Sequence, residues 1–418
     1  MSVNLEILAR ELTSGDPAGL DLTEAAHLNR THEVADALLD SGADEAALRR
    51  LEADLVGAAQ GVPLLLHVAV KMAASRRIVL NLAGPAHLSV VFAVYKEHQR
   101  ILPPDQAPGG EDFLVRKVAQ LQWLFSGRED LTWDMIVVDD GCPAGSGALA
   151  RDIAAAHPWG DWVQVLFLEE AIAAQVEVTR PLTSADDSRK GGSIALGMWS
   201  AVAVPRQNHV VAYTDADLST HLGQCGLLMG DILVGGSDAA IGSRREPLSV
   251  VIKQGVRNLR GKLFIYLWKR IIGVLDGIVD TQCGFKGFGA ETARAILPDL
   301  LEKKFAFDIE LLIKTRLRRA GAIARVPVAW IDSEVLSTTT DIQPYLPMLQ
   351  AMVGMYRTYL PAEPKADEFA TFIGDLDEAS WNRLVENIPA GITQREPAEF
   401  GGFSGVTAAE LRAAAGME

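Results

Sequence analysis

Residues 209–217 read HVVAYTDAD. An apolar, Val-containing run of this length, closing on two carboxylates, is the pattern of a strand buried on both faces. Four more runs resemble it: HLSVVFAVY at 87–95, DMIVVDDG at 134–141, WVQVLFL at 162–168 and DAAIGSR at 238–244. VPVAW at 326–330 is a further strand candidate. Helical periodicity fills the gaps at 111–125, 148–156 and 193–204. Strand and helix alternating in this way predict an α/β fold: a mostly parallel, Rossmann-like sheet with helices on both faces. Ligands bind such a sheet beyond the carboxyl ends of its strands. Asp139, Asp140, Asp215 and Asp217 fall at those ends.

The chain has 418 residues, suited to one large α/β domain with additions. We expect a helical extension over 1–85, a ligand-binding α/β domain over 86–335, and a mainly helical extension over 336–418. The first extension reads as a cap or an oligomerisation element, giving a homo-oligomer. The formal charge of −15 argues against non-specific nucleic-acid binding, which needs Lys and Arg for phosphate contacts. Cys142, Cys225 and Cys283 are too scattered for a disulfide framework or a zinc cluster. The N-terminal stretch carries Glu6, Arg10, Glu11 and Asp16 and so has no apolar signal core. Neither 62–70 nor 263–279 offers the roughly 20 uncharged residues that spanning a bilayer requires. A cytoplasmic protein with no transmembrane segment is expected. The apolar 263–279 segment reads as a core helix, with peripheral membrane contact through Lys269 and Arg270 as the other reading.

Six segments bear chemistry. In TDAD (214–217), Asp215 and Asp217 would point the same way if the strand continued. Two hard oxygen ligands can hold Mg²⁺ or Mn²⁺ against a diphosphate; the bland alternative is a solvated acidic loop. In VVDDG (137–141), Asp139 and Asp140 can accept hydrogen bonds from a nucleobase or a ribose. The alternative is capping of the next helix, for which Ser146 is the better candidate. SRKGGSIALG (188–197) places Lys190 and Gly191 where a helix opens, suited to an anion or to an ordinary loop. Arg244 in GSRR (242–245) can pair with a diphosphate or with Glu246. Asp280 in VDTQCGFKGF (279–288) reads as a buried base or, locally, as a cap. Asp308 and Glu310 in FAFDIELL (305–312) open a helix, where the dipole alone favours acids.

Taken in order, these motifs resemble glycosyltransferase family 2, of GT-A fold, on the branch of dolichyl- and polyprenyl-phosphate glucosyl- and mannosyltransferases. The resemblance runs from Ser89 to about Trp330, and DTQCGF followed by FAFDIELL is its most specific part. It implies an inverting transfer of a sugar, glucose as the first choice, from a nucleoside-diphosphate sugar such as UDP-glucose to a small-molecule or lipid-phosphate acceptor. It implies that Ala93, Tyr95 and Glu97 contact the nucleotide, and that Asp139 and Asp140 bind base and ribose. Lys190 and Gly191 would lie under the diphosphate-sugar. Asp215 would face sugar or metal, Asp217 would ligate Mg²⁺ or Mn²⁺, and Arg244 would contact phosphate. Asp280 matches the acid assigned as catalytic, with Glu310 as an alternative. Lys96 stands where the family usually has Asn, Cys142-Pro143 where it has Ser, and the insert at 101–130 is not typical of it. A soluble acceptor is expected because membrane-anchoring helices are absent, and the hydroxyl-rich 330–340 segment is a candidate lining for it. A sugar-phosphate nucleotidyltransferase needs a Gly-rich loop after the first strand, where YKEHQR has no glycine. A non-catalytic nucleotide-sugar-binding protein is the remaining alternative.

Overall fold

The computed structural model describes residues 5–58, 61–252, 259–332 and 344–417. Seven strands form one sheet: β1 Ala86–Val94, β2 Leu131–Asp139, β3 Val163–Phe167, β4 His209–Tyr213, β5 Ala239–Ser243, β7 Lys286–Gly289 and β8 Ile323–Pro327. Their order is β3-β2-β1-β4-β7-β5-β8. All pairings are parallel except those of β7, which runs antiparallel to both β4 and β5. A second, two-stranded sheet pairs β6 (Val250–Ile252) with β9 (Ala329–Ile331). The predicted α/β class and mostly parallel sheet are therefore observed. The strand β4 is shorter than its sequence reading: it ends at Tyr213, so Asp215 and Asp217 lie in the loop beyond it and strand alternation does not align them.

Alternation does decide the two cores. Val91, Ile136, Val138, Val211 and Tyr213 face one way. Their neighbours Val90, Phe92, Met135, Val137, Val210 and Ala212 face the other. The second face is covered by helices α1 (Leu5–Leu12), α2 (Ala25–Asp40), α3 (Glu45–Gly57) and α4 (Leu64–Asn81), together with α5 (Phe113–Phe125). The first face is covered by the helices Gly191–Ala203, Leu259–Ile271 and Phe307–Arg318, and by C-terminal helices including Tyr345–Tyr359 and Pro364–Asp375. Both terminal segments thus share their cores with the sheet. Each buried Leu, Val or Phe contributes roughly 1.5–3 kcal/mol.

The apolar segment at 263–279 resolves as a core helix. Leu263–Ile271 is buried in the helix Leu259–Ile271. Arg270 donates to the carbonyl of Ser404 at 2.9 Å and lies 4.0 Å from the centre of the Tyr266 ring. Lys269 and Arg270 are turned into the protein, which removes the membrane-contact reading of this helix. No helix among the described residues is long and apolar enough to cross a membrane.

Helix α2 reaches α5 and the segment after β4 through His32. His32 stacks on Trp123 at 4.8 Å, and its Nε2 lies 3.2 Å from that of His221. Burial, and then the charge of Arg76, push the His32 pKa down to about 4. The unfolded chain therefore binds more protons than the folded one between about pH 4 and 6.5, and stability is lost as pH falls through that window. We expect acidification across it to cost about 2–3 kcal/mol at this residue. His32→Phe should flatten the pH dependence of Tm there; an unchanged slope would exclude His32 as its source.

Candidate active site

The site lies at the carboxyl rim of the parallel strands, where β1, β2 and β4 end on Val94, Asp139 and Tyr213. Because β7 is antiparallel, the loop before it reaches the same rim. Gly284 in that loop lies under Asp215, and a Cβ there would overlap the Asp215 carboxylate. The glycine of DTQCGF is thus explained by close approach.

Asp215 pairs with the Lys190 ammonium. Burial alone would push the Asp215 carboxyl up, but Lys190, Arg244 and Lys286 outweigh it and hold the group below the usual carboxylate range. Asp217 accepts from the backbone N–H of Ser219 at 3.0 Å and from its hydroxyl, both on Oδ1. Glu97 is buried and pairs with Arg100 at 3.1 Å, while Arg100 also meets Glu111 at 3.1 Å. Burial raises the Glu97 carboxyl, Arg100 lowers it, and Asp217, Glu111 and Asp215 raise it again. Glu97 therefore feels both acids of TDAD, and the sequence-predicted Glu97, Asp215, Asp217, Lys190 and Arg244 gather at one rim.

Other assignments change. Asp139 accepts from the N–H groups of Cys142 at 2.7 Å and Gly147 at 2.6 Å. It caps the helix α6 (Ser146–Ala155). Ser146, expected as the cap, instead accepts the N–H of Glu97 at 2.9 Å. Asp140 accepts the N–H of Lys190 at 2.9 Å and the hydroxyl of Ser193 at 2.6 Å. Both acids thus hold loops at the rim. Gly191 packs under the backbone of Lys303 and Lys304, which leaves no room for a Cβ. Its glycine thus serves chain packing.

Asp280 was expected to be catalytic. It is buried, and it accepts Nε and Nη2 of Arg244 at 2.8 and 2.9 Å and the Arg244 N–H at 2.8 Å. Burial would raise its pKa, but Arg244 drives it far below the carboxylate range. A carboxylate so held is a poor proton acceptor; it orients Arg244. Glu310, the alternative, is fully buried and accepts the N–H groups of Leu301 and Glu302 at 2.7 Å and the Tyr359 hydroxyl at 2.6 Å. Those partners make it a clamp on the chain. Ala93 lies half-buried near the end of β1. Tyr95 is partly exposed, with the Lys96 ammonium 5.3 Å from its ring centre. Lys96 itself takes a positive φ of 60° and donates its N–H to Cys142 Sγ at 3.1 Å. Residues 333–340 of the proposed acceptor lining lie outside the described residues.

Two buried lysines escaped the sequence reading. Lys286 is fully buried beneath the site and pairs with Asp308 at 3.1 Å. Lys117, on α5, donates to the carbonyl of Asp217 at 2.7 Å. Burial pushes its pKa down to about 8, against the pull of Asp217 and Asp215. The available signal was a charge on an apolar stripe: Lys117 stands four residues from both Phe113 and Leu121.

Among the described residues, no group of three His, Cys, Asp or Glu side chains is placed to hold a metal. Asp215 and Asp217, two residues apart in the loop beyond β4, are the carboxylates whose hard oxygens could hold Mg²⁺ or Mn²⁺ if a diphosphate and water completed the shell.

No family model matches the chain. It is 28% identical over 255 residues to a dolichyl-phosphate β-glucosyltransferase of Trichomonas vaginalis, covering 59% of this chain and 65% of the relative. It is 27% identical over 281 residues to a dolichyl-phosphate β-glucosyltransferase of Drosophila melanogaster, covering 65% of this chain and 75% of the relative. The chain thus spans just under two thirds of the first relative's length. Among solved structures, the glucosyl-3-phosphoglycerate synthase of Mycobacterium tuberculosis aligns with a TM-score of 0.41 at 16% identity, covering 74% of this chain and 86% of that one. The stretch that carries the ordered motifs is thus similar in sequence to dolichyl-phosphate β-glucosyltransferases.

Proposed function

We propose that the chain is an inverting, divalent-metal-dependent glycosyltransferase, moving a hexose from a nucleoside-diphosphate sugar to an acceptor oxygen. UDP-glucose is the first donor to test. The observation that carries this reading is the gathering of Glu97, Asp215 and Asp217 with the cations Lys190 and Arg244 at one sheet rim. Asp215 and Asp217 would hold Mg²⁺ or Mn²⁺, which supplies charge neutralisation for a departing diphosphate. Lys190 and Arg244 add fixed positive charge on the same side. Arg244 is kept in place by Asp280, so its guanidinium is oriented before a ligand arrives.

The engagement of Asp280 with Arg244 and of Glu310 with Tyr359 bears on the acceptor. A hydroxyl acceptor needs a base, whereas an ionised phosphate needs hardly any. The reading therefore favours a phosphate-bearing acceptor, where the sequence favoured a soluble small molecule with a lipid phosphate as the other choice. The names of the dolichyl-phosphate relatives specify such an acceptor for those proteins.

Calorimetry with UDP-glucose, GDP-mannose and dTDP-glucose, with and without Mn²⁺, tests the donor half. One donor should bind in a metal-dependent way and slowly release its nucleoside diphosphate. Mass-shift screening of polyprenyl phosphates against neutral alcohols then tests the acceptor half. A donor held unchanged for hours, with no acceptor gaining a hexose, would reduce the chain to a binding protein.

A further inference from the structure

We propose that α5 is a clamp for the loop bearing Asp215 and Asp217, and that Lys117 and Gln120 are positioning residues for the metal and diphosphate. This rests on the glycosyltransferase reading above. Three consecutive contacts along one face of α5 carry it. The Lys117 ammonium donates to the Asp217 carbonyl at 2.7 Å. One turn later, Gln120 Oε1 accepts the N–H of Leu222 at 2.9 Å. One turn further, Trp123 packs so closely on Gly223 that a Cβ there would lie 3.1 Å from the ring. Spacing of three residues places all three on one stripe of the helix. The loop from Asp217 to Gly223 is thus held at both ends.

Burial of the clamp sets it apart from ordinary loop packing. Lys117 is 0% exposed and Gln120 1%. A buried ammonium is costly unless it is paired or hydrogen-bonded, and here its hydrogen-bond partner is the backbone of the residue that would ligate the metal. Holding Asp217 through its carbonyl leaves its carboxylate to Ser219 and to the rim. Ser219 fixes Oδ1, so the direction of Oδ2 depends on where the backbone is held. Helix α5 lies in the 101–130 insert, which the family pattern does not account for. Its placement under the rim gives that insert a role: supporting the ligands from behind, as partners outside a coordination shell do.

Lys117→Met and Gln120→Leu test the clamp, with Lys117→Arg as the conservative variant. Two readouts are needed: the Mn²⁺ concentration for half-maximal UDP-glucose binding, and amide exchange of residues 217–223 in metal-free protein. Lys117→Met should raise the half-saturating Mn²⁺ about 10-fold or more and speed exchange of the loop. Gln120→Leu should do the same more weakly, and Lys117→Arg should recover part of the loss. A tighter or unchanged Mn²⁺ requirement in both Lys117→Met and Gln120→Leu would overturn the clamp. So would a fall in Tm with neither readout moved. Should Lys117→Met not fold, Gln120→Leu decides by the same two readouts. Wild-type protein that takes neither Mn²⁺ nor UDP-glucose would overturn the glycosyltransferase reading instead, and amide exchange would still judge the clamp.

Discussion

Asp217→Ala should lower metal-dependent turnover of the nucleotide sugar about a hundred- to a thousandfold while leaving the fold intact. The substitution removes one of the two proposed hard-oxygen ligands, which also carry negative charge beside Lys190 and Arg244. Losing one preorganised charge stabiliser costs about 10²–10³ in rate, or roughly 3–4 kcal/mol of transition-state stabilisation. The side chain is half-exposed, and its hydrogen bonds within the loop are to Ser219. The Lys117 contact is to the Asp217 carbonyl and survives the change. Tm should therefore move little. Turnover is best measured as release of nucleoside diphosphate across an Mn²⁺ titration. Unaltered turnover and metal dependence in the variant would remove Asp217 from the site. Asp215→Ala is the less clean test, because it also strips Lys190 of its partner.

Asp308→Ala should destabilise the protein by about 3–5 kcal/mol, the usual cost of leaving a buried charge uncompensated. Asp308 accepts from Lys286 at 3.1 Å and from the Tyr213 hydroxyl, and Lys286 also donates to the carbonyl of Cys283. Lys286 and Tyr213 have no exposed surface, so water cannot replace the lost acceptor. Burial, and then the Asp308 charge, raise the Tyr213 hydroxyl well above its ordinary pKa, which keeps it a neutral donor to that carboxylate. Denaturant midpoints of Asp308→Ala and of the double variant Asp308→Leu with Lys286→Met separate the causes. The double variant should regain much of the loss, because removing both charges removes the desolvation penalty. A loss below about 1 kcal/mol in Asp308→Ala would mean that Lys286 finds another partner, since that is the range of a solvent-screened pair.

Much of this molecule was legible before folding. The strands read from 87–95, 162–168, 209–217 and 238–244 are found at Ala86–Val94, Val163–Phe167, His209–Tyr213 and Ala239–Ser243. A buried strand declares itself through its own side chains, at a period of two and over five to nine residues, so neighbours in sequence suffice. The clustering of acids at strand ends was legible for the same reason: a parallel sheet puts all those ends on one rim. The likeness to dolichyl-phosphate β-glucosyltransferases also lay in the order of the motifs.

What each acid does there was decided by tertiary structure. Asp139 and Asp140 look alike in VVDDG, yet one caps α6 and the other holds Lys190 and Ser193. Asp280 found Arg244, 36 positions away, and Glu310 found Tyr359, 49 positions away. Lys117 reached the carbonyl of Asp217 from 100 positions away, out of an insert that no local pattern connects to the site. Periodicity is a property of adjacent residues, but a hydrogen bond is a property of two points that only the folded chain brings within 3 Å. The sequence thus determined the sheet and its rim, and the packing of distant segments determined which partner each rim residue meets.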